Sequence, residues 1–477
     1  MKYIAAIEIG SSRIKGIVAS VDDTAAITVL AVEELDSGET VRYGRVQNAR
    51  EVSLRVNEII QRLENSPKVA PGRISAVFVA NGGRSLASAF AEATVKLGGE
   101  AEITDQTLQR LHKEARYNLA TDREVLAIAP RRFSVDGAEV KKIIGAFGNV
   151  VRGEFTILTA SPENRRALDR VKIESQGNDI PRDYVTRLLA QTEMALSDSD
   201  RQVGCVYIDF GAETTTIAVF REGALLMAAT LPMGSANITR DLCAGLSITA
   251  ETAENIKISK GKAVVERVNI QAPDDETREI INYVSARAGE IVANINNCIT
   301  QAGFKAADLA AGVVLSGGGA RLNGFAEMLE AQMRMKVRRA AVDASILAAD
   351  NRIKPADHFD IIALVKYAAA HSAINCLDLP AQPEKAEETP EEPRQRVVAA
   401  AARTAAPGRR RYIDLDDPDL LRDDEDEVLE QPDNVNEEGE DPDDLPEQGP
   451  DAETTRATLL ERLKNWFAPK VDDNDMD

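Results

Sequence analysis

Two stretches of this chain, far apart in sequence, have the same make-up, and any fold must account for both. One opens the chain: Tyr3-Ile4-Ala5-Ala6-Ile7-Glu8-Ile9-Gly10-Ser11-Ser12-Arg13-Ile14-Lys15-Gly16-Ile17-Val18-Ala19. The other is Val206 to Phe220, reading VYIDFGAETTTIAVF. Each runs from an apolar strand into an acid-x-Gly with hydroxyl residues and out along a second apolar strand, the pattern of a β-hairpin. In the second copy, Val206-Tyr207-Ile208 leads in and Ile217-Ala218-Val219-Phe220 leads out. The turn read between them, Asp209 to Thr216, is too polar for a core. Its N–H groups and hydroxyls suit phosphate oxygens, with Asp209 facing a metal. One such turn is equally the mark of an ordinary hairpin; two copies point to a duplicated phosphate grip.

A third glycine site lies later, at Ala311-Gly312-Val313-Val314-Leu315-Ser316-Gly317-Gly318-Gly319-Ala320-Arg321-Leu322. It reads as a buried strand running into three glycines, with a helix from about Phe325. Glycines let a backbone approach a flat ligand closely, and a helix N-terminus adds positive potential. The order and spacing of the three sites resemble the actin, Hsp70 and sugar-kinase superfamily. That resemblance implies an α/β fold of two similar lobes with ATP between them, a hairpin gripping the phosphates from each side and the glycine triplet bordering the nucleoside.

The net charge of −21 is concentrated: Asp414 to Glu453 holds 20 acidic residues against one basic residue, Arg422. The remainder is close to neutral, so no nucleic-acid partner is expected. Cys205, Cys243, Cys298 and Cys376 are widely separated among apolar residues and read as free thiols in a reducing compartment. His112, His358 and His371 lack ligand spacing. No apolar run approaches the ~20 residues of a membrane span, and no signal-peptide pattern opens the chain. A cytoplasmic protein is expected.

Helical spacing places helices over Val52–Leu63, Asp105–Asn118 after Thr104, Ile238–Leu246, Ala250–Lys260 after Thr249, and Phe359–Asn375. Arg182–Leu196, behind Pro181, is expected to be a helix joining the lobes. A long helix is expected from about Glu276 to Gly303, and Ile74–Ala80 reads as a strand ending at Asn81-Gly82-Gly83. From Ser85 to Thr159 short strands are expected around one helix, as a small α+β insertion in the first lobe. The expected domains are a first lobe of 1–84 completed by 160–200 and 358–378, the insertion at 85–159, a second lobe of 201–240 and 310–357, and a small subdomain at 241–309.

Residues 379–455 are rich in Pro, Glu, Asp and Ala and are expected to form a disordered acidic linker. It reads as a solvated tether, or as a partner-binding segment around Arg409-Arg410-Arg411-Tyr412-Ile413. Apolarity returns within 456–470, where Leu459, Leu460, Leu463, Trp466 and Phe467 fall on one helical stripe flanked by Arg462 and Lys464. Such a helix is too short to span a bilayer but can lie in its surface with an indole at headgroup depth. Docking on its own domain or a partner is the other reading.

An actin-like ATPase domain, an insertion in the first lobe, a disordered linker and a terminal amphipathic helix together resemble the FtsA family of bacterial cell-division proteins. The residues that carry the match include Ile4 to Ser12, Met233-Gly234-Ser235-Ala236-Asn237-Ile238-Thr239-Arg240-Asp241, and Ala253-Glu254-Asn255-Ile256-Lys257. The resemblance implies a filament-forming adaptor on the inner face of the cytoplasmic membrane at the division septum. Such an adaptor binds and anchors the tubulin-like FtsZ and helps recruit later divisome proteins, its insertion being of the 1C type that contributes to polymer contacts. Carried over by position, Gly10, Ser11, Ser12 and Lys15 lie at the first phosphate loop, and Asp209, Gly211, Thr214 and Thr215 at the second. Glu254 and Lys257 border the adenosine with Gly317, Gly318 and Gly319, while Asp209 and Glu8 hold Mg²⁺ through water.

The chain departs from the family pattern at three places. Glu8 stands for an Asp, Ala212-Glu213 for a Gly-Gly pair, and Arg187 for a Glu that orients water. Glu213 either brings a negative charge toward the phosphates or bends away. The expectation is ATP binding with slow or absent hydrolysis. The alternatives are a small-molecule kinase of the same superfamily and an actin-like pilus-assembly adaptor.

Overall fold

The computed structural model describes residues 1–266 and 272–379. The expected linker, the Arg409–Ile413 run and the 456–470 helix therefore lie outside the described residues.

The strand Lys2–Ile9 is buried through Ile4–Glu8, and its hairpin partner Arg13–Val21 is buried from Gly16 onward. A strand with both faces buried must be covered on both sides. Adjacent residues show how, because successive side chains point to opposite faces. A Cβ on Gly16 would lie 2.3 Å from Ile59, on the helix Ala49–Glu64. Its neighbour Lys15 reaches instead to Asp360, on the helix Phe359–His371. The first lobe is thus a helix–sheet–helix sandwich. The strand order of its sheet is Arg182–Thr186, Val77–Asn81, Lys2–Ile9, Arg13–Val21, Ile27–Asp36 and Leu347–Ala348. Its core runs from Ile4 and Ile17 through Val56, Ile60 and Phe78 to Ile362 and Val365.

The second sheet repeats that plan. Cys205–Phe210 pairs antiparallel with Thr215–Arg221 and parallel with Val313–Ser316, as Lys2–Ile9 pairs antiparallel with Arg13–Val21 and parallel with Val77–Asn81. Ala224–Leu231 and Val337–Arg339 complete the five-strand plan in the places that Ile27–Asp36 and Arg182–Thr186 hold in the first sheet. The helices Ser235–Leu246, Ala250–Ser259, Asp275–Gln301 and Phe325–Met333 belong to this half. Among the described residues no helix is long and apolar enough to cross a membrane. Cys205, Cys298 and Cys376 are buried free thiols, and Cys243 is half-buried.

Three expectations are corrected. Arg182–Leu196 is not one helix: Arg182–Thr186 is a strand parallel to Val77–Asn81, and only Arg187–Ala195 is helical. Tyr184-Val185-Thr186 favour the extended state, and the Pro181 carbonyl accepts from Val77 N–H, extending the sheet. The second hairpin's strands run on to Phe210 and resume at Thr215, so only Gly211 to Thr214 remain as the turn. The insertion's strands are long rather than short: Ala87–Glu102, Glu124–Val135 and Phe147–Ala160. They surround the one helix expected, Asp105–Asn118. Ala87 pairs with Ala229, so the insertion's strands continue the second sheet into nine strands.

Candidate functional site

The two hairpin turns close in the same way. Gly10 N–H donates to Arg13 O at 3.0 Å, and Gly211 N–H donates to Thr214 O at 2.9 Å. In each, the acid sits two residues before the glycine at the end of a buried strand, and both turns line one cavity of about 790 Å³. The glycine turn forms its third wall. Gly317 has φ +91°, where a Cβ would stand 2.4 Å from Phe210 O and 2.6 Å from Asp209 Oδ1. Only glycine fits there. At Gly318 a Cβ would meet nothing, so the backbone is bare toward the cavity.

Every residue expected at the nucleotide lines this cavity except Thr215. Thr215 is fully buried within the strand, and its hydroxyl donates to Met233 O at 2.8 Å. Lys257 is buried, and its ammonium donates to Glu254 Oε2 at 2.6 Å and Thr239 Oγ1 at 3.0 Å. Burial pulls the Lys257 ammonium below its usual range, against Glu254.

At the cavity floor the acids expected to hold Mg²⁺ meet a different cation. Arg187, the first residue of the helix Arg187–Ala195, lies between them. Its Nη1 donates to Glu8 Oε1 at 3.1 Å, and its Nη2 donates to Asp209 Oδ2. One helical turn on, Gln191 donates to Asp360 Oδ1 at 3.1 Å, and Lys15 Nζ lies 3.5 Å from Asp360 Oδ2. Three carboxylates and two cations thus share one buried cluster. Burial works against the charge of Arg187 and of Lys15, but the surrounding carboxylates outweigh it, so both are held more firmly charged than usual. Burial pushes the carboxyls of Glu8 and Asp209 up; Arg187 opposes the rise at both, and Asp360 adds to it. Glu8 Oε2 is buried without a partner. Among the described residues no three or more His, Cys, Asp or Glu side chains converge to hold a metal. The residues present do not fit Mg²⁺ between Glu8 and Asp209.

Glu213 bends away from the cavity floor. Its Oε2 accepts from Tyr43 N–H at 2.6 Å, and its Oε1 lies 3.1 Å from Arg42 Nε and also accepts from Arg240. Next to it, Gly44 N–H donates to Ser11 Oγ at 2.8 Å. A residue of the second hairpin thus clasps the Val41–Val46 hairpin of the first lobe. Removing a buried charged acceptor of N–H groups costs about 1.5–3 kcal/mol. Glu213→Ala is expected to lower thermal stability by that order and to speed proteolysis around Tyr43. Unchanged melting and cleavage would remove the clasp.

Asp360 and Gln191 were not anticipated as site residues. Their signals are faint: Asp360 is the lone acid of an apolar helix, and Gln191 sits four residues after Arg187 on the same helical face.

Comparisons with known proteins agree with this architecture. The family model "Cell division protein FtsA" matches residues 206–364, and the model "SHS2 domain inserted in FTSA" matches residues 83–159. The chain is 26% identical over 403 residues to Cell division protein FtsA of Porphyromonas gingivalis, covering 81% of this chain and 83% of that protein. It is 26% identical over 357 residues to Cell division protein FtsA of Bacillus subtilis, covering 70% of this chain and 78% of that protein. Among solved structures it is similar to the PilM-PilN type IV pilus biogenesis complex, at 13% identity and TM-score 0.53, covering 77% of this chain and 97% of that one. The last likeness is one of fold alone.

Proposed function

Because the chain belongs to the FtsA family of actin-like cell-division proteins, we propose that it is an ATP-binding adaptor that polymerises on the cytoplasmic face of the membrane, anchors FtsZ there and helps recruit later septum proteins. The observation that carries the nucleotide reading is the shared cavity. Two acid-glycine turns with the same closing bond face it, a bare glycine turn forms its third wall, and its volume of about 790 Å³ suits a nucleotide. Ser235, opening the helix Ser235–Leu246, also lines it, so a helix N-terminus faces the space where phosphates would lie.

Hydrolysis is proposed to be slow or absent. In-line attack needs a group that orients water, and the helix facing the phosphates offers Arg187, a donor that is already committed to two carboxylates. The membrane role rests on the stripe of Leu459, Leu460, Leu463, Trp466 and Phe467. The insertion contributes a sheet edge at Ala138–Val140 and an exposed Phe147, which suit polymer contacts.

The test is co-pelleting with anionic liposomes, ATP and FtsZ. FtsZ should pellet with lipid when the full chain is present and stay in the supernatant when residues 456–470 are deleted. If the full chain pellets with lipid and leaves FtsZ behind, the anchoring role fails.

A further inference from the structure

The cation built into the cavity floor has a consequence for how a nucleotide is held. A divalent ion shared by two opposed carboxylates would sit between them through its waters, with metal–oxygen distances of about 2.0–2.1 Å and near-octahedral demands. Here that space lies between Glu8 and Asp209, whose side chains are 7% and 3% exposed, and the Arg187 guanidinium fills it. The planar group donates one nitrogen to each acid. Such charge-assisted bonds are about twice as strong as neutral ones.

The placement is not the accident of a flexible surface side chain. Arg187 opens its helix, where a positive charge opposes the helix dipole. It is therefore held by the acids rather than by the helix. Its carboxylate partners are fixed in turn. Asp209 is packed against Gly317, where no larger residue fits, and Glu8 lies opposite Lys15 in the hairpin register. The Arg187 side chain is 22% exposed and lines the cavity.

We propose that Arg187 takes the place of the divalent cation between the two hairpin acids, so that the nucleotide is bound through fixed protein cations and without Mg²⁺. Lys15 on the first hairpin, Lys257 and Arg187 all line the cavity, each held in place by a carboxylate partner, so they stand as fixed cations beside the space for the phosphates. The guanidinium fork is spent on the two acids, so Arg187 acts toward the phosphates as a fixed charge and not as a forked donor. It adds one positive charge where Mg²⁺ would add two, and unlike bound water it cannot yield a nucleophile. The inference rests on the nucleotide reading above and extends it to the charge chemistry of the same cavity.

Titrating the full chain with ATP by calorimetry, once in excess Mg²⁺ and once in excess EDTA, tests it. The two Kd values should agree within about fivefold, which is roughly 1 kcal/mol. Weakening by more than fivefold in EDTA would overturn the inference while leaving the nucleotide reading intact, whereas no ATP binding in either buffer would defeat both. The variant Arg187→Gln supplies the second arm. With the guanidinium gone the acids are free to order a hydrated cation, so ATP should bind at least about tenfold tighter in Mg²⁺ than in EDTA. A folded Arg187→Gln chain that shows no preference for Mg²⁺ would also overturn the assignment. Should that variant fail to fold, the wild-type pair of titrations still decides.

Discussion

Trp466→Glu is expected to abolish sedimentation of the full chain with anionic liposomes while leaving its ATP affinity unchanged. Leu459, Leu460, Leu463, Trp466 and Phe467 recur at i, i+1, i+4, i+7 and i+8, the spacing that would put them on one stripe if the segment were helical, and Trp466 is the chain's single tryptophan. A short amphipathic helix binds a membrane surface through its buried apolar area, helped by basic flanks such as Arg462 and Lys464. Withdrawing one large apolar side chain forfeits about 2–3 kcal/mol. That alone weakens partition by a factor of roughly 30 to 150. The new carboxylate adds a desolvation cost and repulsion from the anionic leaflet. Trp466→Phe keeps an aromatic body and should retain most of the binding. Unchanged sedimentation of Trp466→Glu would refute the anchor, and loss in both variants would point to a contact specific to the indole.

How far the fold was legible follows from where its information lies. The two hairpins could be found because each carries its acid, glycine and hydroxyls within one short run, and a repeated run constrains more than a single one. Helices such as Asp105–Asn118 and Ala250–Ser259 were read to within a residue, because apolar periodicity and polar starts at Thr104 and Thr249 are local signals. Thr249 does accept from Thr252 N–H, although Thr104 makes no such cap bond.

What escaped was settled by distant partners. Arg182–Thr186 is a strand because Val77–Asn81 offers it an edge, which no window around Pro181 reveals. The strand Ala87–Glu102 is full of Ala, Gly and Glu, poor strand formers, and is extended because Phe147–Ala160 pairs along nearly its whole length. The site shows the same division. Gly10, Gly211 and Gly317 announce themselves, but the cluster on the cavity floor draws Glu8, Lys15, Arg187, Gln191, Asp209 and Asp360 from four separate segments. Arg187 stood out only as a departure from a family pattern. That it neutralises two acids needed the fold. Glu213 likewise had two directions open to it, and the neighbouring Tyr43, Arg42 and Arg240 decide which one it takes.

The buried cluster gives the largest expected stability effect. Arg187→Met should destabilise the chain by about 3–5 kcal/mol at pH 8, the cost of stripping one partner from a buried ion pair. Methionine fills similar volume, so the loss is electrostatic rather than a cavity. The pH dependence follows from the acids left behind. In the folded chain Glu8 and Asp209 already titrate above their ordinary values through burial, with Arg187 opposing that rise. Without Arg187 both rise further. An acid whose pKa is raised on folding binds more protons folded than unfolded, so stability falls as pH climbs from the unfolded to the folded value. The variant's deficit should therefore be full at pH 8 and narrow toward pH 5, because the raised acids take up protons sooner as pH falls. Urea midpoints of wild type and variant at the two pH values check this, and a deficit that does not narrow in acid would mean that the loss is one of packing. Replacing the acids as well, as Glu8→Gln and Asp209→Asn in the Arg187→Met background, should recover most of the stability at pH 8, because a cluster exchanged whole leaves no uncompensated charge behind.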